Sequence, residues 1–216
     1  MTEEIKDYSI TFRGIPWYSK KSEAESVILE SGENVVGSLG APNLMENLRG
    51  AFVWDYTMED QEFQVDGAGC RGWYNHIDVA GYTPTYVWAY YLYPIQDGAL
   101  IKDDEEAEFY FAYYEFMAGD FSDYDAIYED LGQKLESLYG TPQENISDYF
   151  KTKIWFDNDK NMIVLSSLRM NDNVKLAYIA SGANERLEES MGILDAETLA
   201  GENAEREENK NNTDGL

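Results

Sequence analysis

Hydrophobic and polar positions along the chain follow two periods, one near two residues and one near three and a half. Residues 8–13 (YSITFR) alternate, with β-branched and aromatic side chains, and predict a short strand that Gly14-Ile15-Pro16-Trp17 ends. Ser22 and Glu25 have the spacing of a capping box; Val27, Ile28 and Leu29 follow, predicting a helix that stops at Gly32. Leu39-Gly40-Ala41-Pro42 reads as a turn. In the less regular stretch 43–78, Ala51–Trp54 and Glu62–Val65 look like short strands and Gly67–Gly72 like a loop. Tyr86–Tyr93 and Glu108–Phe116 are so rich in aromatic residues that a pleated surface is favoured over a helix, with Asp103–Glu106 as a solvated turn between them. Asp123 or Ser122 can cap a helix carrying Ile127, Leu131, Leu135 and Leu138, which ends at Gly140 before Pro142. Lys153–Phe156, Met162–Ser167 and Val174–Ala180 complete the sheet, the first two joined by a turn over Asp157–Asn161.

These elements predict an α+β fold: an antiparallel sheet with helices packed on one face. A capped helix, a glycine-proline turn (Leu-Gly-Ala-Pro, then Tyr-Gly-Thr-Pro) and strands occur twice about 100 residues apart, which predicts two helix-plus-meander repeats over 8–118 and 119–183. Residues 1–183 then form a single domain. A short helix is expected over 184–200, and the scarcity of apolar residues predicts an acidic disordered tail over 201–216.

The run Phe12-Arg13-Gly14-Ile15-Pro16-Trp17 before a helix resembles the opening of many uncharacterised small bacterial proteins and lipoproteins. So does the later helix ending Leu138-Tyr139-Gly140-Thr141-Pro142, followed by a tryptophan-bearing strand and a hairpin. These are similar in turn to the helix-then-meander repeats of the β-lactamase-inhibitor-protein and BamE (SmpA) class. The resemblance implies protein binding or envelope-assembly scaffolding, with no catalytic residues to carry over.

Charge narrows the partners. Sixteen basic against 42 acidic residues give a net −26. The last 32 residues, from Glu185, hold ten acids and three bases, so −19 of this lies in the rest of the chain. Such a field repels phosphate backbones and anionic headgroups, which argues against nucleic acid and membrane insertion and admits a basic protein partner. One cysteine (Cys70) and one histidine (His76) exclude an intrachain disulfide and multi-histidine metal centres. As written, the chain has no charged-then-apolar leader and reads as cytoplasmic; a leader preceding it would place it in the envelope or outside the cell.

Candidate chemistry is sparse. Asp157, Asp159 and Asn161 match the first ligands of a calcium loop, but Met162 and Leu168 stand where that loop needs glycine and glutamate, so a hairpin turn explains them. Asp120, Asp123 and Asp125 read as helix-capping acids. Cys70, Arg71 and His76 cluster in the expected loop, without the orienting group a thiolate nucleophile requires. No cofactor, metal or catalytic residue is therefore assigned.

The two aromatic strands are more informative. Period-two alternation puts Val87, Ala89, Tyr91, Tyr93, Tyr110, Ala112, Tyr114 and Phe116 on one face, where two alanines leave room for a helix. The other face carries Tyr86, Trp88, Tyr90, Leu92, Phe109, Phe111, Tyr113 and Glu115. Left open, an aromatic platform of this kind, centred on Tyr86, Trp88, Tyr90, Phe111 and Tyr113, is the expected binding surface of a non-enzymatic protein-interaction module, for a protein partner or a second copy; covered by residues 43–78 or the C-terminal helix, it is a second core. The alternative is a small-ligand or enzyme pocket between the sheet and residues 43–78.

Overall fold

In the computed structural model the described residues are 8–30, 67–117, 123–146, 150–168 and 173–211, with 33–40 described by backbone alone. The elements in order are α1 (Lys21–Leu29), β1 (Glu33–Gly40), β2 (Gly69–Asn75), β3 (Tyr86–Leu92), β4 (Ile95–Gln96), β5 (Ala99–Leu100), β6 (Glu108–Phe116), α2 (Tyr124–Tyr139), β7 (Gln143–Ile146), β8 (Phe150–Phe156), β9 (Met162–Leu168), β10 (Asn173–Ile179) and α3 (Ala183–Asn211). Eight strands form one antiparallel sheet in the order β1-β2-β3-β6-β10-β9-β8-β7, and β4 with β5 makes a separate hairpin. Each half of the chain is thus a helix followed by four strands of the large sheet, and the halves join where β6 pairs with β10.

One face of the sheet packs against α1, α2 and the N-terminal segment. Its core joins Ile10, Phe12, Ala24 and Ile28 to Ala89, Ala112, Leu131, Leu135 and Leu165. Ala89 and Ala112 are register partners and fully buried there, as the small-residue argument requires. The second face does not stay free of helices. Along α3, Ala183 and Leu187 belong to its core, and Met191 and Leu194 pack against it. The helix also runs on through Asn211, past the point where a disordered tail was expected. Short-range ion pairs such as Arg206–Glu202 line its exposed length, where good helix formers make up for the missing apolar stripe.

Several other elements differ from the expectation, each for a tertiary reason. Residues 8–13 contribute no strand to the sheet; Phe12 makes only a bridge to Ile15, and Arg13 and Gly14 turn the chain with positive φ. The capping box of α1 does not form, and the N-cap is Lys20 with no side-chain bond. Tertiary contacts serve instead: the Lys21 N–H donates to the Ala107 carbonyl at 2.7 Å, and Glu25 pairs with Lys21 and accepts from the Tyr74 hydroxyl. By contrast, Asp123 caps α2 as expected, accepting from the Ala126 N–H at 3.0 Å.

Gly67–Gly72 is not a loop, since β2 begins at Gly69. A Cβ at Gly69 would stand 2.0 Å from the Tyr91 carbonyl oxygen, and one at Gly72 would stand 2.1 Å from the Tyr74 hydroxyl. These glycines permit close approach within a strand. Leu39 and Gly40 also lie in strand β1, where a turn was expected. The strands expected at Ala51–Trp54 and Glu62–Val65, with Ser122 and Asp120, lie outside the described residues.

Candidate binding surface on the second sheet face

The register of the strands sorts the second face into rows. Trp73, Trp88, Tyr113, Ala177, Val164 and Ile154 stand opposite one another from β2 to β8. On one side of them run Arg71, Tyr90, Phe111, Ile179, Met162 and Phe156. On the other run Tyr86, Glu115, Lys175, Ser166 and Thr152, a polar row. Glu115 and Lys175 form an ion pair at 3.2 Å with both side chains largely buried, and the ammonium lies 5.1 Å from the Tyr113 ring centroid.

The expected platform is only partly open. Tyr90 and Phe111 are fully buried and Tyr113 is 1% exposed, so these three belong to a second core. Tyr86 and Trp88 remain half-buried. A β-bulge also redistributes the aromatic residues. Tyr91 pairs with Phe109 and Tyr90 with Phe111, leaving Tyr110 as an extra residue in β6. Phe109 therefore joins the first core and Tyr110 the second, the reverse of strict alternation. The cause is tertiary: Phe109 exchanges backbone hydrogen bonds with Tyr18 and Ser19, while the Tyr110 carbonyl accepts from Ala180.

What stays accessible of the aromatic platform lies at the β2–β3 end, and sequence reasoning missed half of it. Arg71, read as part of a loop, and Trp73, just beyond it, are half-buried beside Tyr86 and Trp88. The Trp73 and Trp88 rings stack at 5.3 Å with 10° between planes, Tyr86 meets Trp73 edge-on at 5.1 Å, and the Arg71 guanidinium lies 4.9 Å from the Trp88 centroid. The usable signal was the alternation of Cys70, Gly72 and Tyr74 with Arg71 and Trp73, which the glycines masked. That same alternation separates the suspected thiol cluster. Cys70 is buried in the first core, Arg71 points to the second face, and His76 is exposed beyond the strand end.

Hydrogen bonding sets this end apart. Of the four described tryptophans, Trp17 donates to the Ile10 carbonyl and Trp155 to the Gly140 carbonyl, each at 2.8 Å. The indole N–H groups of Trp73 and Trp88 and the Arg71 Nε–H are buried without an acceptor. An unmet buried donor costs about 1–3 kcal/mol. The Tyr90 hydroxyl also makes no hydrogen bond of ordinary geometry, although the Tyr113 hydroxyl and the Arg71 guanidinium approach it. Burial pushes the Tyr90 phenol up to about 12, with those two neighbours pulling it down.

The acidic turn, in contrast, is satisfied internally. The Asp157 carboxylate accepts from the backbone N–H groups of Ile10, Asp159 and Asn161 and from the Asn161 amide, all within 3.0 Å. Oxygens so engaged hold the hairpin rather than a cation. No protein-family model matches the chain, and neither the curated proteins nor the solved structures include a match.

Proposed function

We propose that this chain is a non-catalytic recognition module that holds a protein partner at the β2–β3 end of its second sheet face, on Arg71, Trp73, Tyr86 and Trp88. The observation that carries the reading is the stacked pair Trp73–Trp88, half-buried, with both indole N–H groups lacking acceptors. Tryptophan and arginine in a partly desolvated cluster are the residues that dominate association energies. The resemblance to helix-then-meander proteins points the same way. A second copy is the less favoured occupant, because two chains of net −26 repel one another.

The test is a benzoylphenylalanine photo-crosslinker placed at position 86 in cells, with the same group at position 138, on the exposed end of α2, as the control. The expected outcome is a discrete adduct to another protein from position 86 that disappears in Trp73→Ala/Trp88→Ala. The reading fails if both positions give the same adducts, if none forms at 86, or if the adduct survives the double substitution. An adduct to the chain itself replaces the heterologous partner with self-association.

A further inference from the structure

The half-buried end of the second face is chemically one-sided. Arg71 is the register partner of Tyr90 and Trp73 that of Trp88, so the four side chains form a two-by-two block on adjacent strands. Arginine and tryptophan side chains can only donate hydrogen bonds. The block therefore holds a guanidinium and two indole N–H groups, with a phenol beside them, and the buried donors have no acceptor. This happens in a chain with 42 acidic residues. Ten other basic side chains, from Lys20 to Lys210, pair with described carboxylates, but Arg71 does not. The carboxylate that faces the block from β6, Glu115, is held by Lys175.

We propose that the group recognised at this block is a carboxylate, carried by a protein segment beside an apolar or aromatic residue. Guanidinium and carboxylate are both planar and pair through two parallel hydrogen bonds, a geometry an ammonium cannot match. Stacking of Arg71 on Trp88 restricts the fork, which lowers the entropy lost on pairing. The stacked indoles offer an apolar bed for the neighbouring side chain, and Tyr86 closes one edge through its contacts with both rings. The low local polarity strengthens the pair. Charge complementarity thus comes from a local cationic spot in an anionic protein, so the partner segment carries an isolated carboxylate rather than an acidic run, which the overall field would repel. This assignment rests on the recognition reading above.

The probes are two peptides, Ac-Ala-Glu-Phe-Ala-NH2 and its Gln counterpart, titrated against the full chain while tryptophan fluorescence is followed. The Glu peptide is expected to give a saturable change, with affinity about tenfold or more above the Gln peptide. Arg71→Gln should remove that difference, Arg71→Lys should restore only part of it, and Arg206→Gln, on the exposed part of α3, should leave it unchanged. Near-ultraviolet circular dichroism establishes that Arg71→Gln retains the Trp73–Trp88 stack; if it does not, Arg71→Lys alone decides, and an undiminished Glu preference there overturns the assignment. Equal binding of the two peptides, binding of neither, or a preference that survives Arg71→Gln overturns it as well. Benzoate binding as tightly as the Glu peptide overturns the protein source and leaves a small organic acid as the ligand. Loss of the position-86 adduct in Trp73→Ala/Trp88→Ala but not in Arg71→Gln would sink the carboxylate and keep the recognition surface.

Discussion

The carboxylate of Asp157 accepts the backbone N–H of Ile10 at 2.8 Å, joining the N-terminal segment to the β8–β9 turn across 147 positions of sequence. Its second oxygen closes the turn itself through Asp159 and Asn161, and the Asn161 side-chain oxygen receives the Ser181 N–H just before α3. Two buried, hydrogen-bonded side chains thus tie together the strap over the first face, a hairpin and the entry to the helix on the second. Asp157→Ala is expected to lower unfolding free energy by about 3 kcal/mol, since it leaves several buried donors unmet, and Asp157→Asn by less. Urea denaturation followed by circular dichroism checks this; a loss within experimental error for Asp157→Ala would show the turn to be held by other means.

The buried pair Glu115–Lys175 should behave asymmetrically. Removing one partner, as in Lys175→Ala, leaves an uncompensated carboxylate and should cost about 3 kcal/mol. Replacing both with Glu115→Leu/Lys175→Met should cost far less, since two desolvation penalties vanish together. A double-mutant cycle in the same denaturant experiment reads the coupling, and additive losses would contradict it.

Steric room on the strands is tight where glycine or alanine stands. Gly69→Ala drives a methyl group against the backbone carbonyl of Tyr91, which cannot swing aside as a side chain can. A loss of at least about 2 kcal/mol is expected, together with disturbed β2–β3 pairing. Gly192→Ala, where nothing lies within 4 Å, should be neutral or slightly stabilising through helix propensity. Thermal melts of the two variants measured side by side test the contrast.

The tyrosine-rich cores predict a sharp alkaline limit. Burial raises the phenols of Tyr90, Tyr91, Tyr110, Tyr113 and Tyr178 above their usual value, Tyr90 to about 12. Because the unfolded phenols ionise first, stability is full below about pH 10 and falls as pH rises beyond it. Phenolate absorbance and circular dichroism should therefore change together in one cooperative step. Gradual phenolate formation from an intact fold would mean that these rings are reached by water.

Much of the architecture was legible in the amino-acid order. The aromatic strands at β3 and β6, the helix behind Asp123, the hairpin at Asp157 and the side on which Ala89 and Ala112 sit all follow from local period and turn chemistry. Less of the β2–β3 end was legible. Gly69 and Gly72 made β2 look like a loop, so the place of Arg71 and Trp73 on the sheet face was missed, whereas Tyr86 and Trp88 were found by alternation alone.

Local sequence alone determined that this chain would build an antiparallel aromatic sheet with helices behind it, because side-chain period and capping act over a few residues. Tertiary structure decided the rest. Competition from Tyr18 and Ser19 for the backbone of β6 produced the bulge that exchanged Phe109 and Tyr110 between cores. Docking of α3 joined Ala183 and Leu187 to the second core that holds Tyr90 and Phe111, and cross-strand register placed Arg71 and Trp73 beside Tyr90 and Trp88. Such pairings depend on backbone groups and surfaces far apart in sequence, where the period of a single strand carries no information.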